Sequence, residues 1–391
     1  MRTTRRIALI VVLTGVLGTL AHAQVPQPLA WMNLAKTPPM GWNSWNKFGC
    51  NVSESLIREI ADAMVASGMK DAGYRYVVID DCWQVSRDAD GRIVPDAARF
   101  PGGMRALADY VHARGLKFGL YSDAGAKTCE GRPGSNGYER IDAAQYAQWG
   151  VDYLKYDWCS SDGVDPKIAY ATMRDALQAT GRPIVFSMCE WGRNKPWEWA
   201  RGIGHLWRTT GDIQDSWNSF VRLLDQQVGL EKYAGPGGWN DPDMLEVGNG
   251  GMTTGEYRAR FSLWCLLAAP LIAGNDIRSM SPEIASILTN KDVVAINQDP
   301  LGTQGRKIRD DGELEVWAKW LQGGDVAVAL FNRGREAKEI GVAWTELGLG
   351  AAAAPKVRDL WTKEDHGAVK TVFSTAVPSH AVVFIRVTPG T

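Results

Sequence analysis

The stretch Val151 to Cys159 is an apolar run of β-forming residues that ends abruptly in a carboxylate, an indole and a thiol. A parallel strand buried on both faces is mostly apolar, so charged groups gather at its carboxyl end, where the next loop opens toward a ligand. Lys155 and Asp157 are two residues apart and share one face of such a strand. The ammonium keeps Asp157 ionised, the form that a nucleophilic carboxylate requires. Taken alone, the pair reads better as a strand-end ion pair without chemistry, since ion-pair networks also perturb carboxylates. Repetition argues otherwise, because Asp80 and Asp81 end a second run of this kind, Asp212 another and Asp243 a fourth. Several carboxylates around one mouth serve either of two chemistries: oxygen ligation of a divalent cation, or hydrolysis of a glycosidic bond by a carboxylate pair. Of the five histidines, His22 lies in the N-terminal segment, His112 in a helical pattern, and His366 and His380 near the C-terminus. That scatter argues against a zinc site, and the lack of a Gly-rich phosphate loop argues against nucleotide chemistry.

The elements that must position these residues follow one grammar from Met40 to about Asp276: a short β-rich run ending in polar or aromatic residues, then a helical pattern. Eight such runs occur, at residues 40–45, 76–83, 117–123, 153–157, 184–191, 205–212, 238–244 and 270–276. Between them, Ser53 is placed to cap a helix carrying Leu56, Ile60 and Met64, with Gly68 as its stop. Leu107, Val111 and Gly115 repeat the scheme, as do Phe220 and Leu224 after Asp215 and Ser216, and Phe261, Leu263 and Trp264 after Thr253 and Thr254. Alternating strands and helices with right-handed crossovers make either a closed barrel or a doubly wound sheet. Polar ends on all eight runs favour a (β/α)8 TIM barrel, whose site is ringed by such ends. After Asn297 to Pro300 the texture changes to short alternating strands, as in Leu314 to Trp320 and Val326 to Phe331, which predicts a small antiparallel β-sandwich. The expected organisation is a signal peptide at 1–23, a catalytic barrel at 24–300 and the sandwich at 301–391.

The N-terminal reading rests on Arg2, Arg5 and Arg6 before the apolar run Ile7 to Leu20, followed by an Ala21-His22-Ala23 cleavage site. The apolar run is shorter than the ~20 residues a bilayer span requires. The expected destination is therefore the periplasm or the medium, with no membrane attachment after cleavage, and disulfides are permitted among the six cysteines. With 43 basic and 44 acidic residues the net charge is -1, which argues against nucleic-acid or anionic-membrane partners and for a neutral or small one. Of the 17 tryptophans at least half are expected in the core, the remainder being free to stack on sugar faces.

The ordered series Gly41 to Trp45, Ile79 to Trp83, Tyr121 to Gly125, Lys155 to Asp157, Cys189 to Gly192, Trp207-Arg208 with Asp212, and Gly238 to Met244 resembles glycoside hydrolase family 27, the α-galactosidase (melibiase) family. The resemblance spans about residues 36 to 300 and continues more loosely beyond. It implies a secreted retaining α-galactosidase acting on terminal non-reducing α-D-galactosyl groups of small or polymeric galactosides, without cofactor or metal. It implies Asp157 as nucleophile and Asp212 as acid/base. A carboxyl beside an ionised carboxylate holds its proton more firmly, which would suit Asp212 to the acid role. The resemblance further implies that Trp45 packs on the sugar ring, that Asp80 and Asp81 accept from the C4 and C6 hydroxyls, and that Lys155 serves the C3 and C4 side. Arg208 would serve C2, Asp243 and Met244 would close the wall, and Tyr121 would lie near the nucleophile. Bulky Cys189, Glu190 and Trp191 would surround C2 and favour a free hydroxyl there over an acetamido group. Disulfides Cys50–Cys82 and Cys129–Cys159 are implied, with Cys189 and Cys265 free. The near alternatives are a β-L-arabinopyranosidase and an α-N-acetylgalactosaminidase of the same family; a non-catalytic sugar-binding barrel is the third.

Overall fold

The computed structural model describes residues 31, 33–350 and 353–390; the expected signal peptide lies outside these residues. Eight parallel strands form the first sheet: β1 (Met40–Asn43), β2 (Tyr76–Val78), β3 (Lys117–Asp123), β4 (Tyr153–Asp157), β5 (Val185–Met188), β6 (Leu206–Arg208), β7 (Trp239–Asp241) and β8 (Leu271–Ala273). Each falls within one of the eight expected runs. They pair in the order β8-β1-β2-β3-β4-β5-β6-β7. The last seam closes just past β7, where Leu245 N donates to Ile272 O at 2.8 Å and Leu245 bridges Ala273 in parallel. The sheet is thus the expected barrel.

Local chemistry sets the helices around it. In α1 (Glu54–Ala66) the Ser53 hydroxyl accepts from Leu56 N, Leu56, Ile57, Ile60 and Met64 are buried, and Gly68 turns the chain at φ 81°. The helices α2 (Gly103–His112), α3 (Glu139–Trp149) and α4 (Pro166–Ala179) follow, α4 with Asp165 as its cap and Pro166 in its first turn. Then come α5 (Trp217–Asp225), capped by Ser216, and α6 (Thr254–Leu266), where Thr253 and Glu256 form a reciprocal capping box. Two short helices, α7 (Pro282–Leu288) and α8 (Lys291–Asn297), complete the barrel. One unit departs from the expected grammar: between β5 and β6 there is only a 3₁₀ turn, Pro196–Glu198. Gly192, Pro196, Gly202 and Gly204 crowd that segment and leave no room for an uninterrupted helical run.

Behind the barrel, β9 (Arg306–Asp311), β10 (Leu314–Trp320), β11 (Val326–Asn332), β12 (Lys338–Ala343), β13 (Lys356–Asp359), β14 (Asp365–Ala368), β15 (Val372–Val377) and β16 (Ala381–Thr388) make the antiparallel domain. One sheet runs β9-β10-β11-β16-β13-β14 and the other pairs β12 with β15. Period two divides β11 between two cores. Val326, Val328 and Leu330 meet Ile340, Val342 and Phe373 inside the sandwich, while Ala327, Ala329 and Phe331 join the core that continues into the barrel. Helix α6 is buried on all sides because it packs against the sandwich as well as its barrel neighbours. Nine of the 17 tryptophans are buried, as expected.

Candidate active site

A cavity of about 880 Å³ opens at the carboxyl ends of the barrel strands. It is lined by Trp45, Asp80, Asp81, Tyr121, Lys155, Asp157, Trp191, Arg208, Asp212, Asp243 and Met244, which the sequence singled out, and by Asn46, Gln214, Asp215, Glu246 and Asn249, which it did not. Strand alternation puts Lys155 and Asp157 on the inner side of β4, while Tyr156 turns outward to meet Tyr170 of α4 edge to face, 5.8 Å between ring centroids.

Asp157 is 5 % exposed. Its carboxylate accepts from Trp158 N at 3.0 Å and from the Tyr121 hydroxyl at 3.2 Å. Burial pushes its carboxyl up to about 6, a rise that Lys155 and Arg208 limit and Asp80 enhances. Lys155 Nζ donates to Asp80 at 2.8 Å, and the Asn43 amide donates to the same oxygen at 2.6 Å. Burial opposes the Lys155 charge, yet Asp80, Cys189 and Asp157 hold the ammonium protonated beyond the ordinary lysine range. Asp81 receives Cys82 N at 2.6 Å and Glu130 N at 3.0 Å. An ionised carboxylate has about four acceptor sites, so Asp80 and Asp81 both keep capacity for a ligand.

The opposite wall is organised by Arg208, 5 % exposed, whose Nη2 lies 2.9 Å from both Asp212 and Asp243. Asp243 also accepts from Ile213 N at 2.8 Å and so fixes the start of the loop after Asp212. The Asp212 side chain stands 73 % exposed at the rim. Here the expected acidity order is reversed. Burial raises the Asp212 carboxyl, but the Arg208 charge and hydrogen bond outweigh it and hold it below the ordinary aspartate value. Asp157 is therefore the weaker acid of the two, because the nearest cation to Asp212 donates to it directly while Asp157 is deeper.

Two expected contacts are not brought into the cavity. Glu190 is buried but turns to its own loop, accepting from Asn194 N at 2.8 Å and the Asn194 amide at 2.6 Å. Cys189 lies beneath the cavity floor, 3.4 Å from Arg208 Nη1, in a small void of about 30 Å³ inside the barrel. The backbone reverses at Trp191, φ 56°, so only the indole of this trio reaches the lining. Asp123 was part of an expected strand end but had no assigned role. It is fully buried, accepts from Gly125 N at 2.7 Å and Cys159 N at 2.8 Å, and is pushed up to about 8 by burial and then by Asp157. Glu246 had a legible signal: it follows Met244 by two residues, the spacing that keeps a side chain on the same side of an extended segment.

Both disulfides form between loops at the mouth, Cys50–Cys82 joining those after β1 and β2 and Cys129–Cys159 those after β3 and β4. Cys189 and Cys265 are free and buried.

A barrel that delivers carboxylates from several strand ends to one cavity, backed by an antiparallel domain, defines the class of (β/α)8 glycoside hydrolases. A family model described as alpha galactosidase A matches residues 37–299, and one described as alpha galactosidase C-terminal beta sandwich domain matches residues 311–387. The chain is 54% identical over 378 residues to alpha-galactosidase A of Cellvibrio japonicus, covering 91% of this chain and 93% of that one. It is 51% identical to the alpha-galactosidase of Cyamopsis tetragonoloba, covering 94% and 90%. The crystal structure of alpha-galactosidase I from Mortierella vinacea superposes with a TM-score of 0.89 at 39% identity, covering 90% of this chain and 97% of that one. The chain belongs to the α-galactosidase (melibiase) family, glycoside hydrolase family 27.

Proposed function

We propose that the protein is a retaining α-galactosidase that releases terminal α-D-galactose by double displacement. The observation that carries this reading is a buried carboxylate, Asp157, and a rim carboxyl, Asp212, lining one cavity of about 880 Å³. The Asp157 carboxylate attacks the anomeric carbon as the Asp212 carboxyl gives its proton to the departing oxygen. Asp212 then takes a proton from water, whose oxygen displaces Asp157 and restores both groups. Asp80, Asp81 and Lys155 hold the C3, C4 and C6 side of the sugar, making the axial 4-hydroxyl readable. Arg208 and Trp191 bound C2, with Glu190 acting only through the loop it braces. Trp45, Tyr121, Asp243 and Met244 complete the pocket.

The stereochemical outcome tests the mechanism. A retaining pair has its carboxyls ~5–5.5 Å apart, without room for a water behind the anomeric carbon, so NMR taken before mutarotation shows α-galactose first. β-Galactose appearing first would remove Asp157 from the covalent role. A panel of nitrophenyl α-galactoside, α-N-acetylgalactosaminide and β-L-arabinoside separates this reading from the near alternatives, and turnover of none of them would favour a binding barrel. Residues 1–23 are read as an export signal, and among the described residues no helix is long and apolar enough to cross a membrane. N-terminal sequencing of the exported chain should begin near Gln24; an intact Met1 on exported protein would overturn the signal reading.

A further inference from the structure

Helix α6 carries a fully buried arginine that the displacement chemistry does not use. Arg260 lies four residues before Trp264, so the two share one face of the helix, and the guanidinium carbon sits 4.8 Å from the indole centroid. Both donate to main-chain carbonyls of the cavity wall: Arg260 Nη2 to Met244 O, and Trp264 Nε1 to Asp243 O at 2.9 Å. The turn they hold is strained. Asp243 has φ 85°, a left-handed backbone that a residue with a side chain keeps only where its surroundings fix it. Its carboxylate accepts from Met244 N at 2.8 Å, Ile213 N at 2.8 Å and Arg208 Nη2 at 2.9 Å. The same Arg208 nitrogen donates to Asp212, so this turn fixes the cation that Asp212 leans on. Fold stability does not explain Arg260. Its Nε and Nη1 are buried without an acceptor among the described residues, and replacing so poorly matched a buried charge by an apolar side chain is often neutral or stabilising. What it faces is acidic: burial pushes Arg260 down to about 10, against the opposing charges of Glu246, Asp243 and Asp215. The helix is also held from outside, since Ser262 Oγ accepts from Trp361 Nε1 at 2.9 Å and Glu256 meets His380 at 2.8 Å, both partners in the antiparallel domain.

We infer that Arg260 and Trp264 are positioning residues for the acid step: they lock the Asp243–Met244 turn, and through Asp243 and Arg208 they place the Asp212 carboxyl against the departing oxygen. The inference rests on the reading of Asp212 as the acid/base and deepens it. Neither residue lines the cavity. Trp264→Phe keeps an aromatic ring in the core and deletes the N–H to Asp243 O without changing any charge, so an effect on the leaving group passes through the turn. Arg260→Met keeps a long side chain but deletes the donor to Met244 O together with the buried cation.

The test sets leaving groups of different acidity against each other in the full chain and in both variants, with thermal unfolding as a check on folding. Phenyl α-galactoside needs a proton on its departing oxygen, whereas 2,4-dinitrophenyl α-galactoside departs as the phenolate without one. In both variants kcat/KM for the phenyl substrate should fall about tenfold more than for the dinitrophenyl substrate, a part of the ~10²–10⁴ that a well-placed acid contributes. Asp212→Ala is the reference and should show the larger selective loss. Equal losses on the two substrates would mean a structural role only, and unchanged values on both would mean no role; either overturns the inference. If one variant does not fold the other decides, and failure of both to fold makes the pair structural and overturns it too. A wild type that turns over neither substrate, or an Asp212→Ala variant without the selective loss, would overturn the reading on which the inference rests. A selective loss in Asp212→Ala with equal losses in the other two overturns this inference alone.

Discussion

Asp157→Asn is expected to lower kcat by roughly 10⁴-fold or more while galactose binds within a few fold of wild type. The substitution preserves shape, and the amide oxygen still accepts from Trp158 N or the Tyr121 hydroxyl. On the proposed mechanism it removes the electron pair that closes the first displacement, which contributes to bond making rather than to ground-state affinity. Lys155 keeps its partner in Asp80, so the pocket floor stays assembled. Single-turnover kinetics with isothermal titration of galactose reads both halves of the expectation. Wild-type-like turnover would reject Asp157 as nucleophile; loss of galactose binding in step with turnover would make it a binding residue instead.

Lys155→Met is expected to lower kcat/KM by roughly 10²–10³-fold and to displace the pH profile. In the proposed double displacement the active form has Asp157 ionised and Asp212 protonated. Because Asp157 is the weaker acid, this is the minor singly protonated form, and the wild-type kcat/KM is expected to follow a bell whose alkaline limb falls as pH rises through about 6. Lys155 is the strongest charge holding Asp157 down. Without it the Asp157 carboxyl titrates above about 6, the ionised nucleophile becomes scarcer at each acidic pH, and the alkaline limb moves upward. The variant also leaves Asp80, 2 % exposed, with a neutral amide in place of its ion-pair partner. Removing one member of a buried pair costs about 3–5 kcal/mol, so the melting temperature falls as well. A pH-rate series on wild type and variant decides: an alkaline limb that stays put, in a variant that has lost activity, would show that Lys155 acts on the sugar and not on Asp157.

Most of the frame was legible along the chain because its causes are local. The eight strands follow from short apolar runs, and α1, α5 and α6 from Ser53, Ser216 and Thr253 ahead of periodic apolar positions. The missing fifth helix was legible too, in the glycines and proline of residues 189–205, but strand–helix repetition outweighed them. Glu190 shows where local reading stops. Alternation holds only while the backbone stays extended, and the reversal at Trp191 sends its neighbour to Asn194 rather than to the cavity.

By itself the sequence determined which groups stand at the barrel mouth: a residue's place at the end of a run decides its layer, and period two decides whether it faces inward. Asp157 with Lys155, and Asp80 and Asp81 after β2, needed nothing more. Only the tertiary structure decided how the charges are shared among them. Arg208, Asp212 and Asp243 come from two strand ends, and their meeting makes Asp212 the stronger acid and leaves Asp157 the more easily protonated. The same holds for the contact of Asn46 with Glu246, drawn from loops 200 residues apart. Coulomb energy and hydrogen bonding depend on distance through space, and no spacing along the chain encodes it.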